Sequence, residues 1–462
     1  MEIKPAPLHK AEPRPILMIR ARQLLLPGVL LASVLGGLGL LYLRPEMVLV
    51  LVAAALVGVI LVSRPFTGLL ILIGIMVVQP GELLEAAGAL HVERVSAALV
   101  ILAVVMELRQ ARRLPQVVGH PVLTAMYAFL GVMVLSLVGS VWLGATIAAV
   151  QSYLRTLAYS LLIINVVRTP RRLTVLMRFL MLLHTYLALT TLKGYYSGDI
   201  MFAQGISRAE GQTSFGGGPN ELAATLVAAM PLFFMGFRVE KSWLWRLLWM
   251  GSLAACVWCV VLTGSRSGFL GMLMVAVLFW LMSPRKVLTL AAALALLVGL
   301  WVVMPQQYKT RYGTIKSAEL DESSQGRIDA WKAGVRMFVD RPLLGVGAGN
   351  FGTGHARQAG EFQRGSWLEA HSLYVQIIAE LGILGVLSFG WFLFRYLQAA
   401  VRLVRRFPLD RRDGDYRGVV ARAALIACLA LLVTGIFGHN LYRITWYLMG
   451  ALLVVVEQAR EG

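Results

Sequence analysis

"WLEAHSLYVQIIAELGILG", residues 367–385, opens an apolar run that continues to residue 397. A membrane-crossing helix needs about 20 mainly apolar residues, and this run supplies them. His371 stands at its start and Glu380 lies inside it. Ionisable side chains near hydrocarbon are costly, so each of the two needs a partner or a task.

The pattern repeats along the chain. Of its 462 residues, 58% are hydrophobic and 15% charged, and the mean hydropathy is +0.72. A soluble domain of this size needs far more polar surface. The apolar runs are continuous rather than alternating, which favours helices over a barrel. The expected fold is all-α, a polytopic membrane helical bundle with a long outer loop containing an amphipathic helix. Candidate spans lie near 23–43, 46–62, 66–78, 95–108, 121–142, 143–167, 173–192, 220–238, 246–262, 268–282, 287–304, 372–397, 419–437 and 445–457. Several are short and the early ones can merge, so about 12 to 14 crossings are expected.

A net charge of +19 would suggest nucleic acid in a soluble protein. Here the basic residues cluster in short loops, as the positive-inside rule requires. Membrane lipids, and no nucleic acid, are the expected partners of that charge. The N-terminal tail, "RQARR" (109–113), "RTPRR" (168–172), "RVEKSWLWR" (238–246), "SPRK" (283–286) and "RLVRRFPLDRRDGDYR" (402–417) fall on one side, the cytoplasm. The organisation is then a basic tail (1–22), membrane helices (23–304) with an outer loop at 193–219, a large outer loop (305–370), C-terminal membrane helices (371–457) and a short tail (458–462). Cys256 and Cys259 form a C-x-x-C inside an apolar run. Zinc takes four ligands, and without others these read as small core residues.

The outer side gathers the unusual polar residues. "TGSRSG" (263–268) places Arg266 in a tight turn between spans. Arginine suits bidentate phosphate binding, and a turn arginine can equally reach for lipid headgroups. "SRAEGQTSFGGGPNELAATL" (207–226) contributes Arg208, a glycine-rich loop, and Asn220 as a helix N-cap. A helix N-terminus favours an anion; an ordinary loop and cap would look the same. His371 begins the next helix and is either a general base or an interfacial histidine bonded to water. Tyr374 lies one turn further on. Glu380 is nine residues on, about 180° around a continuous helix, so it should face away from His371 and pair inside the bundle. Arg155 is about 18 Å along its span, which suggests a polar cavity or an internal ion pair. In "GRIDAWKAGVRMFVDRPL", Ile328, Trp331, Val335 and Phe338 share one face. Arg327, Lys332, Arg336 and Arg341 occupy the other. That helix either lies on the membrane surface or caps the bundle in solvent. "GAGNFG" (347–352) matches a dinucleotide fingerprint literally but follows no strand signal. No acidic metal cluster is apparent on the outer face, and no cofactor or metal is expected.

"TGSRSG", then "GRIDAWKAGVRMFVDRPLLGVGAGNF", then "EAHSLYVQIIAELGILG", with "GGGPNELA" after an upstream arginine, resembles the O-antigen ligase and polymerase superfamily of bacterial envelopes. The resemblance covers roughly residues 150–400. It implies a glycosyltransferase of the bacterial inner membrane with its active site facing the periplasm. The donor would be an undecaprenyl-pyrophosphate-linked glycan and the acceptor lipid A-core oligosaccharide. The family's histidine falls on His371, its arginines on Arg208 and Arg266, and its asparagine on Asn220. Arg155, Arg336, Tyr374 and Glu380 are possible supporting residues. "GGGPN" departs from the Asn-Pro-Asn-like run of many relatives. The implied reaction is inverting and metal-independent. A lipid-linked polymerase would use the same motifs. A transporter or flippase would instead line a central path with charge.

Overall fold

A computed structural model describes Val34 and residues 57–80, 92–111, 114–203, 205–212, 216–313, 322–358, 369–409 and 414–459. The expected span at 23–43 and most of that at 46–62 lie outside these residues. The chain divides into two compact units, Met1–Ile75 with Leu84–Leu114, and Met76–Leu83 with Pro115–Gly462. Helix α1 (Pro65–Val78) lies mainly in the first unit, with α2 (Val92–Gln110).

The second unit is a helical bundle. Its helices are α3 (Pro121–Leu135), α4 (Leu143–Val166), α5 (Pro170–Tyr196), α6 (Pro219–Val239), α7 (Trp243–Leu262), α8 (Arg266–Met282) and α9 (Lys286–Val303). After α9 come α10 (Gln306–Gly313), α11 (Glu322–Asp340), α12 (Phe351–Gln358), α13 (Leu373–Arg406), α14 (Arg417–Thr434) and α15 (Ile444–Gln458). A hairpin of β1 (Met201–Ala203) and β2 (Ile206–Arg208) sits between α5 and α6, with Met201 opposite Arg208. Seven described helices are long and apolar enough to cross a membrane, and four shorter apolar helices accompany them. The protein is a multi-pass, all-α membrane protein.

The starts of several helices follow directly from sequence. Pro121, Pro170 and Pro219 occupy the first turns of α3, α5 and α6. There a missing N–H costs nothing and a fixed φ suits the helix. The Thr169 hydroxyl accepts from the Arg172 N–H, and the Ser265 hydroxyl from that of Gly268. Each satisfies one otherwise unpaired donor.

The most enclosed helix is α6, which packs on α7, α8 and α14. Helix α13 packs on α3, α11 and α14. An aromatic core joins α3, α4, α13 and α15. Tyr153 meets Tyr447 edge-on at 4.7 Å and Phe129 at 5.4 Å between ring centroids. At one end of the bundle, Glu240 is 2% exposed and takes both arms of the Arg178 guanidinium, at 2.8 and 2.7 Å. The Tyr416 hydroxyl donates to the same carboxylate at 2.6 Å. A buried carboxylate is tolerated only when so satisfied. Cys256 and Cys259 are buried free thiols in α7.

The opening stretch of sequence does not form one continuous helix. α13 breaks at Gly382, whose φ of 61° and ψ of −155° are open essentially to glycine alone. A Cβ there would lie 2.5 Å from the Pro342 carbonyl oxygen. The break admits the segment after α11. Val346 and Gly347 donate to the carbonyls of Ala379 and Glu380, and Ile383 donates to that of Pro342. The Glu380 carboxylate completes the joint. It accepts from the Gly349 N–H at 2.7 Å and the Tyr442 hydroxyl at 2.6 Å. "GAGNFG" is thus the backbone that satisfies Glu380.

Three expectations need correction. His371 does not begin the helix: Ser372 is the N-cap and His371 precedes it with φ of +45°. The half-turn argument separating it from Glu380 therefore does not apply, because His371 is outside the helix. Arg155 is exposed on the outer face of the described bundle, not held in an internal pair. Tyr153, Thr156 and Leu157 take the inward face of α4 instead. In α11 the buried face is Ala330, Ala333 and Met337, which cluster with Phe351, Ala370 and Ala379. Small side chains let α11 approach α13 closely, with Gly334 against Val375. Val335 is 49% exposed, and Trp331 turns sideways to stack on Phe437.

Candidate active site

A cavity of about 290 Å³ lies at the end of the bundle where α6, α8, α13 and α15 begin. The opposite end carries the basic segments 168–172, 238–246, 283–286 and 402–409. Arg208, Asn220, Glu221, Ser267, His371, His439 and Arg443 are among the residues lining the cavity.

Arg208 is placed by a clamp of local contacts. Its strand is anchored where the Ala209 N–H donates to the Leu262 carbonyl. The Tyr308 hydroxyl donates to the Ser207 carbonyl at 2.6 Å, and that of Tyr312 to the Val261 carbonyl at 3.1 Å. Ile206, Ala209, Val261, Leu262, Met304, Tyr308 and Tyr312 form one apolar cluster beneath the hairpin. Arg208 is only 4% exposed. Its Nε donates to the Thr263 carbonyl at 2.7 Å and its Nη2 to Asn220 Oδ1 at 3.0 Å. Burial, and after it the neighbouring Arg311 and Arg327, push its pKa down to about 10. It remains charged at neutral pH. Arg311 is also buried, with Nε donating to the Gly264 carbonyl at 2.7 Å. Buried cations held side by side repel one another, and an anion between them removes that cost.

Asn220 is not the N-cap. Gly218 is, with Pro219 first in the helix and the Gly218 carbonyl accepting from Leu222. With the proline at the first helical position, the cap falls two residues earlier than expected. The Asn220 side chain is thereby released to orient Arg208. Arg266 is the first residue of α8 rather than a turn residue, half-buried beside the cavity-lining Ser267.

His371 lies across the cavity. Burial lowers its pKa to about 4, with His439 and Arg327 adding to the effect. The imidazole is therefore neutral at physiological pH, and a neutral imidazole can accept a proton. Its ring meets that of His439 edge-on, with centroids 5.8 Å apart. His439 Nε2 is 3.9 Å from Glu221 and 3.8 Å from Glu369. Arg443 Nη2 lies 3.4 Å from the same Glu221 oxygen, Oε1, and Nη1 donates to the Glu221 carbonyl at 2.8 Å. The cavity thus has a cationic side, Arg208 with Arg311 behind it, and a side of histidine and carboxylate.

The remaining candidates lie elsewhere. Arg336 is exposed on α11. Tyr374 points outward, 46% exposed, its hydroxyl on the Leu432 carbonyl. Glu380 is 2% exposed and occupied by the α13 joint. The sequence pattern places Arg327 only on a polar helix face and does not single out Arg311, Glu221, His439 or Arg443. The last two stand in "GHNLYR" (438–443), a short polar turn between the final two spans. Two ionisable residues and an asparagine in such a turn are a usable signal. Among the described residues, no group of three or more His, Cys, Asp or Glu is placed to hold a metal ion.

Residues 251–390 match the family model described as O-antigen ligase. The matched region begins in α7 and ends in α13, taking in Arg266, Arg311 and His371. Over this stretch the chain is similar to the O-antigen ligase family. No curated protein matches the chain.

Proposed function

We propose that the protein is a ligase, moving a glycan from undecaprenyl pyrophosphate to a sugar hydroxyl of lipid A-core on the periplasmic face of the bacterial inner membrane. The observation that carries this reading is the division of one cavity between buried arginine and neutral histidine. The leaving group is a lipid pyrophosphate, and negative charge grows on it as the glycosidic bond breaks. Arg208, aimed by Asn220 and Thr263, is set to meet that charge. Preorganised donors of this kind act most strongly on the transition state. Arg266 and the N-terminus of α6 would add to the same field.

His371 takes the proton from the acceptor hydroxyl as its oxygen attacks the anomeric carbon. The pyrophosphate departs from the opposite face, so the reaction is a single displacement with inversion. Arginines neutralise the leaving group, and the proposed reaction needs no metal. Transfer should persist undiminished in EDTA; loss restored by a divalent ion would overturn that part.

A polymerase that joins two lipid-linked glycans would use the same groups. The superfamily match fits both. A transporter draws less support, because Glu380 is engaged by backbone N–H groups and Tyr442 while Arg155 faces outward. Purified protein given lipid-linked glycan and lipid A-core distinguishes the readings. A joined product supports the ligase, and elongation of the donor alone supports the polymerase.

A further inference from the structure

The proton that leaves the acceptor needs a destination, and His371 is poorly suited to keep it. Its ring is largely enclosed and Arg327 lies near it, so a positive charge there is disfavoured. His439 stands beside carboxylates instead. Its Nε2 lies within 4.0 Å of two carboxylates, Glu221 of α6 and Glu369 just before α13. Its ring abuts that of His371. Its Nδ1 is buried with no hydrogen-bond partner among the described residues.

The other charged groups around it are accounted for. Arg443, on the same turn, is engaged by Glu221. Arg327, from α11, sits over the Phe437 ring at 5.9 Å. Arg208 borders the same cavity. The second carboxylate, Glu369, is more exposed than Glu221, and His439 is its ion-pair partner.

Resting on the glycosyl-transfer reading above, we propose that His439, set between Glu221 and Glu369, is a relay that receives the acceptor's proton from His371 and passes it to water. The step balances. The acceptor oxygen forms its bond to the anomeric carbon as the bond to pyrophosphate breaks, and the electron pair leaves with the pyrophosphate. The hydroxyl proton goes to His371, then to His439, then to solvent. No oxidant, reductant or metal takes part. His439 acts through His371 and is a positioning residue for the proton, not a group that touches the reacting atoms.

The test uses the full-length protein in two measurements. In the first, His439→Gln should lower kcat by about 10- to 100-fold, within the usual range for a proton-transfer group. The donor KM should stay within about twofold. The acid limb of the wild-type pH–rate profile should vanish or move to lower pH, and added imidazole should restore part of the rate. An unchanged kcat, or a loss with an unaltered acid limb and no imidazole rescue, overturns the relay. The second measurement needs no transferase activity. Carbethoxylation of His439 by diethyl pyrocarbonate, followed by mass spectrometry, is recorded against pH. Glu369→Gln should move the midpoint for His439 to lower pH, because a neighbouring carboxylate favours the protonated ring. An unmoved midpoint overturns the proposal even if the wild type transfers glycan. A moved midpoint in a protein that transfers nothing upholds the histidine–carboxylate pairing and sinks only the ligase reading.

Discussion

Replacing Arg208 with lysine isolates geometry from charge. The guanidinium is held at two points, Nε to the Thr263 carbonyl at 2.7 Å and Nη2 to Asn220 at 3.0 Å. These bonds fix the plane in which, under the proposed function, the remaining N–H groups would meet a phosphate. Lysine keeps the positive charge but is a point charge on a flexible stem. Its ammonium cannot hold both anchors and still present a planar face. The loss is then at least one charge-assisted hydrogen bond to the leaving group, about 1.5–3 kcal/mol. That corresponds to roughly 10- to 100-fold in kcat/KM for the lipid-linked donor. The effect should fall mainly on kcat, because charge on the pyrophosphate grows in the transition state. The assay is initial-rate transfer by the purified protein over a range of donor concentrations, with thermal melting as the control for folding. A variant that melts like the wild type and keeps kcat/KM within twofold would refute the reasoning.

Two further perturbations have definite signs. Burial holds the folded-state pKa of His371 near 4, below its ordinary 6.5. Its contribution to stability is therefore complete above pH 6.5 and is lost as pH falls toward 4, by up to about 3 kcal/mol. The melting temperature of the wild type should drop more between pH 7 and pH 4.5 than that of His371→Gln; equal drops would contradict the burial argument. Arg178→Met strands the Glu240 carboxylate, which is 2% exposed, and should destabilise the bundle by about 3–5 kcal/mol. Thermal unfolding in detergent measures this, and a shift of less than a degree would show that Glu240 needs no partner.

Much of the architecture could be read from hydropathy alone. Continuous apolar runs locate the helices because hydrocarbon forces the backbone to satisfy itself. Basic loops gather at one end of the bundle for the same legible reason. What stayed hidden depends on contacts between distant segments. The 372–397 run gives no sign of the break at Gly382, because glycine also occurs within ordinary membrane helices. The break exists only because Pro342–Gly347 comes alongside. The packing face of α11 is not legible in sequence because apolar periodicity selects large residues, whereas close approach to α13 selects Ala330, Ala333 and Gly334. Asn220 resembles a cap in sequence, but the cap is Gly218, two residues earlier. The motif residues His371, Arg208 and Asn220 border one cavity, while Arg336, Tyr374 and Arg155 point elsewhere. The histidine–carboxylate group required structure, since Glu221, Glu369 and His439 come from three separate segments.

Under the proposed function, His371 and Arg208 act together on one donor and one acceptor. This is tested most directly by reconstituting purified wild type and His371→Gln with lipid-linked glycan and lipid A-core. The wild type should form the joined product with inverted anomeric configuration, and His371→Gln should form it at least 100-fold more slowly while melting normally. Full-rate product from His371→Gln, or retained configuration in the wild-type product, would contradict the account.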